Sequence, residues 1–182
     1  MTPPASRRFQ RGSSTNTMTL ETDRLLLSIP RLAEAPGLFD FLGDMTAMRH
    51  TFPLETMRDC RRHIAGHACQ RRKVGYGPWT VRAKADGQII GFGGLYDDPF
   101  DPGWGIEVSY AFASQTWNNG FATELTRFCL VFARKELGVH LVRAFVHPEN
   151  VASRRVLEKA GFREQRFVPE MNRYLYEHRL VA

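Results

Sequence analysis

A short run, 117–123, in which Gly120 and Ala122 are small, joins a stretch with a period of two to a stretch with helical spacing. Apolar residues alternate with polar or small ones before the run, which predicts a strand near 104–112. After it, apolar residues recur every three or four positions up to Gly138, which predicts a helix over 120–137. The first turn of a helix presents N–H groups without partners, and the helix dipole favours negative charge there. The run therefore predicts a phosphate-binding turn made of backbone groups.

The residues of this turn exclude two common phosphate loops. No Lys-Ser or Lys-Thr pair follows Gly120, which excludes a Walker loop, and the Gly-x-Gly-x-x-Gly dinucleotide fingerprint is absent. The run resembles instead the Gln/Arg-x-x-Gly-x-Gly/Ala loop of the GNAT acetyltransferase superfamily, whose backbone holds the pyrophosphate of acetyl-CoA. Gly120 and Ala122 match the two small positions. Trp117, in place of Gln or Arg, is typical of the Rim-type branch, which resembles the ribosomal-protein-alanine N-acetyltransferases.

Two further motifs carry the same resemblance. The stretch 150–162 is similar to the Asn-x-x-Ser-x-x-x-x-x-Lys-x-Gly-Phe signature of the Rim-type branch, and it follows an apolar segment, 141–146. The stretch 21–27 is similar to that branch's opening Glu-Thr-x-Arg-Leu-x-Leu strand. Three motifs in the family's order span most of residues 20–180, so the chain is identified as a member of the superfamily.

The resemblance implies one GNAT-like α/β domain over residues 18–182. Its mixed, mostly antiparallel central sheet is expected to have splayed central strands that hold acetyl-CoA, with helices on both sides. A hairpin turn is predicted at Asp86 and Gly87. The local patterns predict strands near 23–29, 76–84, 87–96, 104–112, 140–147, 163–168 and 173–180, and helices near 31–48, 54–72, 120–137 and 151–160.

Length and composition agree with one domain. The chain has 182 residues, within the usual range for a single domain. Residues 1–17 lack periodicity and predict a disordered tail. The net charge is +6, but Arg7, Arg8 and Arg11 of the tail contribute three of these charges. The remaining excess is too small to predict nucleic-acid binding. No long apolar stretch is present, which predicts a cytoplasmic protein without a membrane segment.

Acetyl transfer to an amine requires a group that takes a proton from that amine. Glu107 shares a strand face with the small residues Ser109 and Ala111, which leaves space for a ligand, and superfamily members often have a base at the matching glutamate. Glu107 is the leading candidate base, with a surface or ion-paired glutamate as the alternative. His147 ends the neighbouring strand and is the second candidate, because histidine titrates near neutrality. A strand-end histidine without a chemical role is its alternative.

The resemblance also implies a proton donor for the departing CoA thiolate. Many members use a tyrosine seven residues after the asparagine of the second motif, but Leu157 stands there and has no proton to donate. Ser153 occupies the position where Rim-type enzymes have serine, and it is the candidate donor. Asn150 is expected to contact the pantetheine arm of CoA. Each of these two residues is alternatively a helix cap.

The predicted acetyl-CoA contacts combine the loop, the end of the preceding strand and the motif asparagine. A backbone N–H group near residues 110–112 is expected to stabilise the oxyanion. Asn118 replaces a glycine common in the Rim-type branch, which predicts either a stiffer loop or a positive φ at Asn118. The cofactor-binding set comprises Phe112, Asn118, Asn119, Gly120, Phe121, Ala122, Thr123 and Asn150.

Cysteine and histidine spacing offers a candidate metal site. Cys60, His63 and His67 share one face of the predicted helix, and with Cys69 they supply four zinc-type ligands. An amphipathic helix with solvated polar residues fits the same spacing. Because the spacing matches no known metal motif, no metal is predicted.

The acceptor side is defined by an acidic loop and the first two helices. Asp97, Asp98 and Asp101 either attract a cationic amine or are solvated turn residues. The helices over 31–72 are expected to form one wall of the acceptor cleft. Four aromatic side chains either line that wall or belong to the core, and these are Phe39, Phe41, Phe52 and Trp79.

These features predict an acetyl-CoA-dependent N-acetyltransferase that acts on a primary amine by direct attack in a ternary complex. The acceptor is a protein N-terminal α-amine or a small-molecule amine. The alternative is a noncatalytic acyl-CoA-binding or nucleic-acid-associated module, for which the Arg-rich stretches 7–11 and 61–72 are the main argument. The predicted partners are acetyl-CoA and the amine, with a homodimer as a candidate assembly.

Overall fold

The computed structural model describes residues 19–180, and the predicted tail over 1–17 lies outside them. The strands are β1 (Thr19–Glu21), β2 (Leu25–Ser28), β3 (Trp79–Ala83), β4 (Ile89–Tyr96), β5 (Glu107–Phe112), β6 (Leu141–Val146), β7 (Arg163–Val168) and β8 (Arg173–Arg179). The helices are α1 (Ala35–Leu42), α2 (Met57–Val74), α3 (Phe121–Glu136) and α4 (Val151–Lys159).

The eight strands form one sheet in the order β1-β2-β3-β4-β5-β6-β8-β7. Neighbouring strands are antiparallel except for β5 and β6, which run parallel. A mixed, mostly antiparallel sheet flanked by four helices confirms the predicted fold class.

The two parallel strands diverge from a closed end. Strand β5 meets β6 at one register position, where Glu107 lies opposite Arg143. The Arg143 N–H donates to the carbonyl of Ile106 at 2.9 Å, and its guanidinium donates to Trp104 O at 2.7 Å and to Glu177 at 3.1 Å. Beyond this point the described residues of β5 and β6 form no further register pairs. The N–H groups of β5 that face β6 are therefore available to a ligand in the gap.

Each face of the sheet has its own apolar core. On one face, α3 and α4 pack Leu125, Cys129 and Leu157 onto the sheet, as the apolar stripe of the predicted helix requires. On the other face, α1 and α2 pack Leu38 and Ile64 against β4. Strand β4 is buried almost throughout, because it is covered on both faces.

Helix α1 is much shorter than the predicted helix over 31–48. It ends at Leu42, with Gly43 as its C-cap. The carboxylate of Asp44 then accepts from the N–H of Ala47 at 2.6 Å, a local bond that favours turns over helix. The chain from 43 to 56 therefore forms a connection instead of more helix, and it reaches the edge of the gap.

The first strand, predicted over 23–29, is also shorter in the structure, where it is β2, and β1 precedes it as a separate strand. The N–H of Thr22 donates to Leu25 O at 3.0 Å, so β1 and β2 form a hairpin. The predicted turn at Asp86 and Gly87 is confirmed, because β3 and β4 pair across it and Gly87 has a φ of 72°. None of the helices in the described range 19–180 is long and apolar enough to cross a membrane. The cytoplasmic location stays a prediction.

Candidate active site

A cavity of about 210 Å³ occupies the gap between β5 and β6. Its walls come from the facing strands, the start of α4, the α1–α2 connection and the loops after β4 and β7. The structure brings together in this cavity all the side chains that were predicted to do chemistry or to contact pantetheine. These are Glu107, His147, Asn150 and Ser153.

Glu107 is a buried carboxyl group at the closed end of the gap, with only 5% of its surface exposed. Burial, together with the negative charges of Asp98, Asp101 and Asp97, raises its pKa to about 8, against a bond from Tyr96 that lowers it. The Tyr96 hydroxyl lies 3.4 Å from Glu107 Oε2. A carboxyl with such a pKa exchanges protons near neutral pH, as a base in amine chemistry requires.

Asn150 and Ser153 have separate roles in the structure. Asn150 is the N-cap of α4, since its Oδ1 accepts from the Ser153 N–H at 3.0 Å. The Ser153 hydroxyl is therefore not the cap, and it lies 2.9 Å from the hydroxyl of Tyr110. Burial raises the pKa of Tyr110, so this phenol stays protonated. The contact between Tyr110 and Ser153 could not be predicted from the sequence, because no local spacing relates residues 43 positions apart.

Replacing Ser153 with alanine separates its chemistry from helix capping. We expect Ser153→Ala to lower turnover at least tenfold, because a hydroxyl that faces the reacting centre is lost. Turnover should fall by more than stability does, because Asn150 still caps α4 and only the hydrogen bond with Tyr110 is lost. Asn150→Ala is the matched control, and it should cost about 1 kcal/mol of stability. Thiol release and thermal denaturation of both variants test this, and normal turnover in Ser153→Ala would exclude Ser153 as a proton donor.

His147 lies in the cavity wall, and both of its ring nitrogens have polar neighbours. The Glu149 N–H donates to Nδ1 at 3.3 Å, and the Asn172 side-chain amide lies 3.4 Å from Nε2. Its ring stacks on His50 at 5.5 Å. Both ring nitrogens of His147 are thus occupied, which makes it a poorer base candidate than Glu107.

The candidate zinc ligands on α2 do not gather into a site. Cys60 is buried in the core and its thiol faces Ala35 O at 3.6 Å, whereas Cys69 is exposed. His63 and His67 pack against aromatic rings. Within residues 19–180, the His/Cys/Asp/Glu group whose ligand atoms lie within 4.8 Å of one another is instead His50, His147 and Glu149.

The predicted phosphate-binding loop, residues 117–123, adopts the conformation that Asn118 and Gly120 allow. Asn118 and Gly120 both have positive φ, 63° and 78°, so the positive φ considered for Asn118 is present. Gly120 is the N-cap of α3 and supplies no side chain to the first-turn N–H groups. Trp117 donates from its indole to Phe112 O at 2.9 Å, which fixes the loop to the end of β5. The first turn of α3 therefore presents free donors beside the gap.

The motif over 21–27 also has a structural role that was not predicted from the sequence. The Arg24 guanidinium donates to Asn119 O at 2.8 Å and to Glu124 Oε2 at 2.7 Å. The side chain of Thr22 bonds to the same carboxylate. The turn between β1 and β2 thus contacts both the loop, at Asn119, and the first turn of α3, at Glu124. No spacing pattern predicts a contact between residues about 100 positions apart.

The acceptor side is partly as expected. Asp98 and Asp101 line the cavity, together with Thr51 of the α1–α2 connection. None of the four aromatic candidates lines it. Phe41 and Trp79 are buried core residues, and Phe39 packs on the core. Phe52 is 87% exposed.

Comparison with known proteins agrees with this architecture. Residues 24–163 match the family described as "Acetyltransferase (GNAT) domain". The chain is 30% identical over 157 residues to YkkB of Bacillus subtilis, covering 85% of this chain and 90% of that protein. It is 26% identical over 163 residues to the N-acetyltransferase YoaA of the same organism, covering 87% and 89%. Its fold is similar to that of Mycobacterium smegmatis RimJ in complex with CoA-disulfide, with a TM-score of 0.70, 20% identity and coverage of 85% and 81%.

The fold, the family match and the named relatives together define an N-acetyltransferase. The chain belongs to the GNAT acetyltransferase family.

Proposed function

We propose that the protein moves an acetyl group from acetyl-CoA directly to a primary amine, within a ternary complex in the gap between β5 and β6. The observation that carries this proposal is Glu107, a buried carboxyl with a pKa of about 8 in the wall of the cavity. We assign the chain to the Rim-type branch on Trp117 and the 150–162 motif, and the likeness to RimJ supports this. The acceptor is a protein N-terminus or a small molecule.

The open end of the gap fits acetyl-CoA. A Cβ placed on Gly120 would meet only the Arg24 guanidinium, at 3.5 Å, so the surface of the loop is open to a pyrophosphate. The related RimJ structure contains a CoA-disulfide, which supports the same class of ligand here. We propose that the backbone of Phe112 and of 118–123 holds the cofactor, and that Asn150 contacts its pantetheine arm while it caps α4.

In the proposed mechanism, Glu107 takes a proton from the acceptor ammonium. A lysine-like amine, with a pKa of about 10.4, is mostly charged at pH 7, and releasing its proton costs about 4.6 kcal/mol. Releasing the proton of an α-amine, with a pKa of about 8, costs only about 1 kcal/mol at pH 7. The carboxylate of Glu107 accepts this proton, directly or through water, and the neutral nitrogen then attacks the thioester carbonyl.

Two groups then stabilise the charge that develops. N–H groups of β5 that face the gap near 110–112 donate to the oxyanion, since no β6 partner occupies them. When the carbon–sulfur bond breaks, the Ser153 hydroxyl donates a proton to the leaving thiolate, and the second proton lost by the acetylated nitrogen restores the hydroxyl through water. The hydroxyl of Tyr110, 2.9 Å away, fixes the position of Ser153.

One arginine of the stretch 61–72, part of the argument for a noncatalytic nucleic-acid module, has a structural role, and the stretch 7–11 lies outside the described residues. Arg71 of the Arg-rich stretch donates from Nη2 to Gly77 O and to Pro78 O, the latter at 2.7 Å, and its guanidinium lies over the Trp79 ring. This arginine thus anchors the end of α2 to the start of β3. It is not available to bind phosphate groups of a nucleic acid.

Release of CoA thiol, measured across a panel of amines, tests the proposal. The panel contains lysine-like amines, polyamines, amino acids and peptides with free N-termini, each with acetyl-CoA. We expect amine-dependent thiol release, with one acetylated amine formed for each thiol. Thiol release that no amine accelerates would contradict the proposed transfer.

A further inference from the structure

The loop after β4 is attached to α2 by one exposed aromatic side chain. The ring of Phe100 stacks on His63, with centroids 5.7 Å apart and planes 7° apart. It meets His67 edge-on at 5.8 Å. Phe100 is 57% exposed, so these ring contacts, and not general burial, hold it in place.

A glycine in α2 makes room for that ring. Gly66 lies between the two histidines in sequence, and a Cβ built on it would stand 2.8 Å from Cζ of Phe100. Glycine is a poor helix former, and Gly66 lies in the middle of an 18-residue helix where no turn requires it. The close approach of Phe100 therefore explains this glycine.

The surface beneath the ring is uncharged. Burial lowers the pKa of His67 to about 3, with contributions from His63 and Arg71. Burial also lowers the pKa of His63, against Asp98, which raises it. Nδ1 of His67 is buried and has no hydrogen-bond partner, so this histidine serves as an apolar ring. Both histidines are neutral near pH 7 and suit contact with a phenyl ring.

The loop that Phe100 anchors carries charge into the cavity. Asp98 accepts from the N–H of Phe100 at 2.7 Å and from that of Asp101 at 3.3 Å, which makes the turn compact. Asp98 and Asp101 both line the cavity that contains Glu107. Displacing Phe100 would therefore displace two carboxylates from the path of the amine.

We propose that Phe100 is a positioning residue that, seated over Gly66, holds Asp98 and Asp101 beside Glu107 and so selects acceptors that enter as cations. This inference depends on the proposed acetyl transfer to amines. Attraction between the fixed carboxylates and an ammonium group lowers the acceptor KM. The groups that face Glu107 are Tyr96, Asp97, Asp98 and Asp101, and the loop carries the three aspartates.

A double-mutant cycle between Gly66 and Phe100 tests the proposal. We expect Phe100→Ala and Gly66→Ala each to raise the acceptor KM about tenfold and to leave the KM for acetyl-CoA unchanged. In Gly66→Ala the better helix propensity of alanine offsets the lost ring contacts, so the melting temperature should change little and a loss of stability does not explain its effect. On the acidic side of the pH profile, the fall in turnover should move to lower pH in both variants, because the aspartates no longer raise the pKa of Glu107.

The double variant gives the decisive comparison. With no ring to displace, Gly66→Ala should add nothing to Phe100→Ala, whereas purely additive effects would overturn the proposal. Phe167→Ala is the matched control, because Phe167 is a partly exposed phenylalanine in ring contact with Tyr174 on the far edge of the sheet. It should leave the acceptor KM unchanged.

Hydrogen exchange of the amides of Asp98, Phe100 and Asp101 provides a readout that needs no activity. We expect faster exchange in Phe100→Ala and in Gly66→Ala than in the wild type or in Phe167→Ala. Unchanged exchange in both variants would show that Phe100 does not hold the loop. If the wild type acetylates no amine, the proposed function fails, while the exchange data still decide whether the anchor exists.

Discussion

Glu107→Gln is expected to slow acetyl transfer by about 10²–10⁴, because glutamine keeps the shape of the side chain but accepts no proton from the amine. Binding of acetyl-CoA should be unchanged. The loss depends on pH in a defined way for a lysine-like amine. As the pH falls below 8, wild-type turnover falls because Glu107 becomes protonated, and variant turnover falls in parallel because less free amine is present. The ratio of wild-type to variant turnover is therefore constant there. Between about pH 8 and 10.4 this ratio should shrink, because Glu107 is already ionised and only the variant rate still rises with pH.

The class of acceptor should change the size of this loss. An α-amine, with a pKa of about 8, loses its proton in the same pH range as Glu107. Glu107→Gln should therefore reduce the rate less for an α-amine than for a lysine-like amine. Rates measured for both acceptors from pH 6 to 10 test this. Glu136→Gln, at an exposed position of α3, is the control and should behave as the wild type. A loss of equal size for both acceptors at every pH would assign Glu107 to substrate positioning, and unchanged rates would move the search to His147.

Gly120→Val is expected to weaken acetyl-CoA binding at least tenfold, about 1.4 kcal/mol. The substitution puts a branched side chain on the loop surface where the pyrophosphate must approach. It also strains the backbone, because Gly120 has a φ of 78°. Affinity is measured by calorimetry with acetyl-CoA on the folded variant.

Gly138→Val separates these two effects. Gly138 lies after α3 with a φ of 62° and open space around its Cβ position, so valine there brings backbone strain without blocking a ligand. This control should lose stability and keep its affinity for acetyl-CoA. Normal acetyl-CoA binding by folded Gly120→Val would mean that the cofactor lies elsewhere.

Local patterns predicted most of the fold and the position of the site. The period of two before residue 117 and the helical period after it placed β5 and α3, and Glu107 followed from its place on β5. The predicted helix over 31–48 was wrong beyond Leu42, because apolar spacing continues while Gly43 and the Asp44 side-chain bond stop the helix. Patterns of spacing do not record such competition between local hydrogen bonds.

The contacts that organise the site are long-range and could not be predicted from spacing. Arg24 clamps a loop about 95 residues away, and Tyr110 meets Ser153 across the gap. The close approach of the Phe100 ring to Gly66 depends on the distance between a loop and a helix, and folding sets that distance. A glycine inside a strongly helical segment was the one sequence signal that pointed to a close approach there.

The mechanism depends most on one property of Glu107, the pH at which its buried carboxyl exchanges a proton. This can be measured by titrating the side-chain carboxyl carbon of ¹³C-labelled glutamate by NMR from about pH 3 to 10, with Glu107→Gln used to assign the resonance. We predict a midpoint near pH 8, set by burial and by Asp98. A midpoint near the ordinary glutamate value of about 4.3 would contradict the role of Glu107 as the base in acetyl transfer.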